Sequence, residues 1–146
     1  GMTTTNKDDL NIGQVLENAF PYFDYIAPMV YPSHYPKNFN GWANPNHYIY
    51  EIVYMSMKRA FERGEEFDAQ INLSKASSTI AVVAPSWYTG ESAKKLRTWI
   101  QDFDYGGNYD VVEVREQIQA SYDAGVDSFM IWSPSNIYTL GALEKE

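Results

Sequence analysis

Apolar residues first recur at helical spacing in Ile12, Val15, Leu16 and Ala19, which stand at i, i+3, i+4 and i+7. Pro21 limits that helix, because the residue before a proline avoids the α region, so the pattern predicts a short helix ending near Phe20. The run Phe23–Tyr31 is then almost continuously apolar and aromatic, as in a strand covered on both faces, although Pro28 cannot donate to a ladder. The stretch from Pro32 to Asn44 is rich in Pro, Ser, His, Asn and Gly and reads as a long functional loop. Asn44-Pro45 supplies an N-cap with proline at the first helical position. Ile49, Ile52, Val53, Ser56, Met57 and Ala60 follow with the 3.6 period, and Gly64 offers a stop.

Residues 65–95 read as an insertion. Thr79–Ala84 has strand composition, but Pro85-Ser86 and Thr89-Gly90 break it at once. Leu96–Phe103 predicts a second strand, closed by the turn Gly106-Gly107-Asn108. Asp110 and Glu113 make a capping-box pair for a helix carried by Val111, Val114, Ile118 and Tyr122 up to Gly125. Ser128–Ser133 is a third strand, and Pro134-Ser135-Asn136 opens the loop that leaves it. This alternation of strand and helix predicts a parallel α/β sheet with helical crossovers. Three strands leave both sheet edges open, so something must cover them.

With 146 residues, 45% of them apolar, the chain has the size of one domain with its own core. A formal charge of −8 repels phosphate backbones, which argues against nucleic acid as a partner. The absence of cysteine excludes disulfides, thiol catalysis and cysteine-containing zinc sites. No apolar run reaches the roughly 18 residues that span a bilayer, so no membrane insertion is expected. The first ten residues are polar, lack a signal-peptide pattern and read as a flexible terminus, with Gly1 before Met2 resembling a scar of tag removal. Aromatic residues make up 16% of the chain, with 12 Tyr and 4 Trp, more amphipathic ring surface than a core of this size requires.

Three segments in order carry a resemblance: Asp24–Tyr35, Leu96–Phe103 and Phe129–Tyr138. Together they resemble the C-terminal part of the family described as "putative glycosyl hydrolase domain", whose members are similar to (β/α)8 barrel glycosidases. Asn44-Pro45-Asn46 and Tyr50-Glu51-Ile52-Val53 fit the intervening family segment. The chain departs from the family pattern at Thr98 and Ile49, where proline is expected, at Ile100 for leucine, and in the insertion 65–95. A whole barrel takes about 250 residues. The resemblance therefore implies a partial (β/α)8 (TIM) barrel of about three βα units over residues 11–146. Upstream strands bearing acidic residues would be missing, and a second copy or the remainder of a longer chain would cover the sheet edges. It further implies a glycoside hydrolase acting on a polysaccharide, inactive in this segment alone. The competing reading is a non-catalytic carbohydrate-binding or assembly module. The compartment is left open, with the extracellular space or cell envelope as the expectation for the full-length protein.

Barrel enzymes hold reacting groups at the C-terminal ends of strands. Asp24 and Asp127 lie at strand starts and Glu51, Glu113 and Glu116 on helices, which leaves Asp102, with Asp104 close behind, as the candidate acid/base. The alternative for Asp102 is a carboxylate that caps a turn or pairs with Arg97. Glycoside hydrolysis uses two carboxyl groups, so Asp102 would be half a site. His34 could donate to a sugar oxygen, orient a carboxylate, or only pin its loop. Tyr31, Tyr35, Trp42, Trp99, Trp132 and Tyr138 cluster at strand ends and following loops, and such rings stack on pyranoses, although Trp99 at mid-strand suits a core. Gln101 and Asn136 complete the expected sugar contacts beside Tyr31, His34, Tyr35 and Trp132. His34 and His47 lack metal-ligand spacing, and no phosphate loop or nucleophile elbow occurs, so neither metal nor cofactor is expected.

Overall fold

A computed structural model of the chain describes residues 1–76 and 84–143. Nearly all of the strand-like run Thr79–Ala84 lies outside them. The sheet consists of β1 (Thr98–Gln101) and β2 (Phe129–Trp132), which run parallel with Thr98 opposite Phe129 and Gln101 opposite Trp132. Both are shorter than their apolar runs.

The expected strand over Phe23–Tyr31 is reduced to isolated parallel bridges, Ile26 to Leu96 and Met29 to Trp99. Its backbone bonds show why. The Ile26 N–H donates to the Lys95 carbonyl and the Arg97 N–H to that of Ile26; further on, the Trp99 N–H donates to the Pro28 carbonyl and the Val30 N–H to that of Trp99. The rung between these pairs would need an N–H on residue 28, which proline lacks. The result is a mixed α/β arrangement with a small parallel sheet, in which the bridged segment, β1 and β2 lie in that order.

Helix α3 (Ile49–Ala76) corrects the prediction of a stop at Gly64. Gly64 serves the packing of a loop instead: a Cβ there would sit 2.7 Å from the Ala93 nitrogen and 2.9 Å from its Cα, so only glycine lets the 3-10 turn Ala93–Lys95 approach. The expected insertion is thus helix over residues 65–76. The turn at Ser92 is fastened to it, since the Asp68 carboxylate accepts the Ser92 N–H at 2.8 Å and its hydroxyl at 2.6 Å. Asn44 does accept the Asn46 N–H, but it caps a separate 3-10 turn, Pro45–His47, just before α3.

Helix α4 (Val111–Asp123) starts at the anticipated capping box of Asp110 and Glu113 and ends before Gly125, which takes φ +94°. Near the N-terminus, the helix read over residues 12–20 shrinks to α2 (Leu16–Ala19), because Leu10, Asn11 and Gly13 hold positive φ and break the preceding turn. The segment 1–10, expected to be loose, contributes α1 (Met2–Thr5), whose end is held by Arg63 of α3. That guanidinium is fully buried; it donates to the carbonyls of Thr3, Thr4 and Asn6 and forks onto both carboxylate oxygens of Glu17.

Ile100 packs with Val114 of α4 and with Phe129 and Ile131, so one sheet face is covered by helix. Alternation puts Trp99, Met130, Trp132 and the bridged Met29 on the other face. No helix lies over that face among the described residues, and Met29 and Trp132 are 54% and 41% exposed there. A parallel sheet normally buries both faces. None of the described helices is long and apolar enough to cross a membrane.

Candidate functional site

At the C-terminal end of β1, Pro32 begins the 3-10 turn Pro32–His34 and again lacks an N–H to continue pairing. The buried amide of Gln117, from α4, substitutes for the missing neighbour. Its oxygen accepts the Gln101 N–H at 2.9 Å and its nitrogen donates to the Gln101 carbonyl at 2.8 Å. This fixes the last residue of β1. The Gln101 side chain, fully buried, turns the other way: its nitrogen donates to the Phe103 carbonyl at 2.8 Å, and its oxygen accepts the Ser33 hydroxyl at 2.7 Å.

Asp102 follows and is 5% exposed. Its carboxylate accepts the Thr139 N–H and the Thr139 hydroxyl, each at 2.7 Å, which ties the loop after β2 to the end of β1. Turn capping is therefore the geometry found, and pairing with Arg97 is not: that guanidinium lies 3.6 Å from the Tyr25 ring centroid at the opposite strand end. Asp104 caps as well, accepting the Tyr109 N–H at 2.8 Å. Tyr109 in turn donates its hydroxyl to Asn46, and burial holds that phenol above its ordinary pKa. The loops after the first and second parallel segments and the approach to α3 are thus joined at one end of the sheet.

His34 stands exposed on this end with three rings around it. Centroids of Tyr31, Phe103 and Tyr105 lie 5.5, 6.1 and 5.5 Å from its own. Tyr31 is nearly enclosed, with its phenol pushed up to about 12 by burial, whereas Tyr105 is 62% exposed. Across β1, Trp132 meets Trp99 edge to face at 6.1 Å, and exposed Asn136, at φ +55°, lies in the following loop.

Of the side chains expected to touch sugar, His34, Trp132 and Asn136 are open to solvent at the strand ends. Tyr35 and Gln101 lie inside the protein. Tyr35 is buried in the core, its hydroxyl 2.8 Å from that of Ser56 and its ring 4.7 Å from Phe39, and burial pushes its phenol up to about 12. Gln101 has every amide group engaged with protein and acts on its neighbours only. Trp42 stacks on Tyr48 at 4.7 Å and serves packing.

The sequence reading overlooked Ser33, Phe103, Tyr105 and Tyr109, although two aromatics just beyond a strand end were a usable signal. It also overlooked a second exposed group, Tyr22, Phe23, Tyr25 and Trp87, of which Tyr25 begins the bridged segment. A groove of about 740 Å³ runs along α4 with Tyr50, Phe129 and Leu143, on the helix side of the sheet and apart from His34 and Asp102. Among the described residues no three His, Asp or Glu side chains converge to hold a metal ion.

Short parallel segments crossed over by helix, with polar and aromatic side chains gathered at their C-terminal ends, are compatible with the α/β class. More particularly, the family model described as "Putative glycosyl hydrolase domain" matches residues 1–138, and the chain belongs to that family. The match takes in the first 22 residues as well as the three motif segments. The domain is thereby glycoside hydrolase-like. No curated protein and no solved structure matches the chain.

Proposed function

We propose that this chain is the C-terminal segment of a glycoside hydrolase acting on a polysaccharide, equivalent to about three βα units of a (β/α)8 barrel. The observation that supports this most is the collection of exposed His34, Tyr105, Trp132 and Asn136 at the C-terminal ends of parallel segments, with Asp102 closing β1. Barrel enzymes act at that end, and rings with polar edges suit the mixed apolar and hydroxylic faces of a sugar. Tyr31 and Phe103 back the exposed rings and keep them in place. Two carboxyl groups are needed to break a glycosidic bond, one as acid and one as base or nucleophile. Asp102 would be this segment's contribution, released toward substrate when the Thr139 loop shifts, and the second carboxylate would come from strands outside these residues. Alone, the segment would bind without hydrolysing.

The engagement of both Asp102 oxygens by Thr139 favours a second reading, a non-catalytic carbohydrate-binding or assembly module. Hydrolysis by the longest natural chain carrying Asp102→Asn separates the two. Loss of an acid/base group lowers turnover by about 10²-fold or more. Activity within about threefold of the unsubstituted protein contradicts the acid/base role and leaves Asp102 as the anchor of its loop.

A further inference from the structure

The polar chain behind His34 decides what that imidazole can offer a ligand. Gln101 spans two fixed groups: its nitrogen donates to the Phe103 carbonyl at 2.8 Å, while its oxygen receives the Ser33 N–H at 3.4 Å and the Ser33 hydroxyl at 2.7 Å. Turning the amide over would set oxygen against the Phe103 carbonyl and an NH2 group against the Ser33 N–H, so its orientation is determined. The Ser33 hydroxyl has one proton, and Gln101 takes it. Only a lone pair of Ser33 Oγ then remains to face His34 Nδ1, 2.9 Å away. That contact is a hydrogen bond only if Nδ1 carries the proton.

We infer that neutral His34 is held as the Nδ1–H tautomer, so that its Nε2 lone pair is the acceptor this strand end presents to a hydroxyl of the ligand. Protonation of one ring nitrogen leaves the other as acceptor, and the partner of the first determines which. Tyr31 and Phe103, each edge to face with the imidazole, and Tyr105, tilted against it, hold the ring plane, while the ring itself stays exposed. An expectation that His34 donates to a sugar oxygen is thereby reversed: the sugar hydroxyl donates. Ser33 and Gln101 are positioning residues. Ser33 is also excluded as an activated nucleophile, since its proton points to an amide oxygen and not to the imidazole. The inference rests on the carbohydrate reading for the identity of the ligand, but not for the tautomer.

The test is long-range proton–nitrogen correlation on the full chain, labelled with 15N at histidine, above about pH 8, where imidazole is neutral. His34 should show the proton on Nδ1, in about tenfold preference, as one net hydrogen bond provides. Ser33→Ala should move the proton predominantly to Nε2, and Ser33→Thr, which keeps the hydroxyl, should restore it to Nδ1. A proton on Nε2 in the unsubstituted protein overturns the inference, as does a distribution that Ser33→Ala leaves unchanged. Titration with cellohexaose, xylohexaose and chitohexaose in turn adds the ligand. Binding of any of them should shift the Nε2 signal, and binding that leaves it still overturns the acceptor role. If none binds while Nδ1 keeps its proton, the carbohydrate reading fails and the tautomer stands.

Discussion

Arg63 shows how one residue can govern a whole terminus. It lies midway along α3 with no exposed surface, and its guanidinium donates to Glu17 and to the carbonyls that end α1. Burial raises the Glu17 carboxyl pKa, but the hydrogen bonds and charge of Arg63 outweigh that and hold it below the ordinary value of 4.5. A lowered carboxylate contributes stability that is complete above its ordinary pKa and is lost as pH falls through the folded value. Arg63→Met should cost about 3 kcal/mol in urea unfolding near neutral pH, because it leaves Glu17 and three carbonyls without their partner. The variant should also lack the component of acid destabilisation that Glu17 gives the unsubstituted protein. Nothing in the hydrophobic pattern marks Arg63, since an arginine on an apolar helix face reads as an interruption until its distant carbonyl partners are known. Asp102 was legible as the carboxylate at a strand end, but its engagement with Thr139, 37 residues away, was not. The engagement of the Gln101 and Tyr35 side chains was not legible for the same reason: their partners Ser33 and Ser56 come from other elements.

Among the elements, those with local signals were readable. The capping box of α4, the short parallel strands at 98 and 129 and the disruption at Pro28 all follow from chemistry within a few residues. Where tertiary contact decides, reading the chain falls short. Gly64 looked like a helix end, yet Phe67 and Ile71 continue the buried face of Val53, Met57, Ala60 and Arg63, and that continuation was in the sequence to be counted. The glycine is needed by Ala93, not by the helix. Gly64→Ala should therefore destabilise the fold, by up to about 2 kcal/mol in chemical denaturation. The backbone overlap, about 1 to 3 kcal/mol as overpacking, exceeds the gain in helix propensity of just under 1 kcal/mol. Equal or greater stability for the variant would mean that Ala93 can withdraw without cost.

For the molecule as a whole, the distribution of rings carries the account. Some of the aromatic excess lies in the core and some on the bare sheet face, where Met29, Trp99, Met130 and Trp132 await cover. We expect that face to be met by a second copy when the chain is alone, and sedimentation at micromolar concentration should then give a mass above that of one chain; a monomer would contradict it. The other exposed rings include those at the C-terminal strand ends, those around Tyr22, Tyr25 and Trp87, and Tyr54 and Tyr122 on α3 and α4. The central claim is that only the first group meets carbohydrate. Glycan binding by the full chain, compared with Tyr105→Ala and with Tyr22→Ala as a control of similar exposure, tests this directly. The account predicts that Tyr105→Ala weakens binding about tenfold, near the energy of one stacked ring, while Tyr22→Ala leaves it unchanged. Binding that survives Tyr105→Ala and is lost in Tyr22→Ala would contradict it.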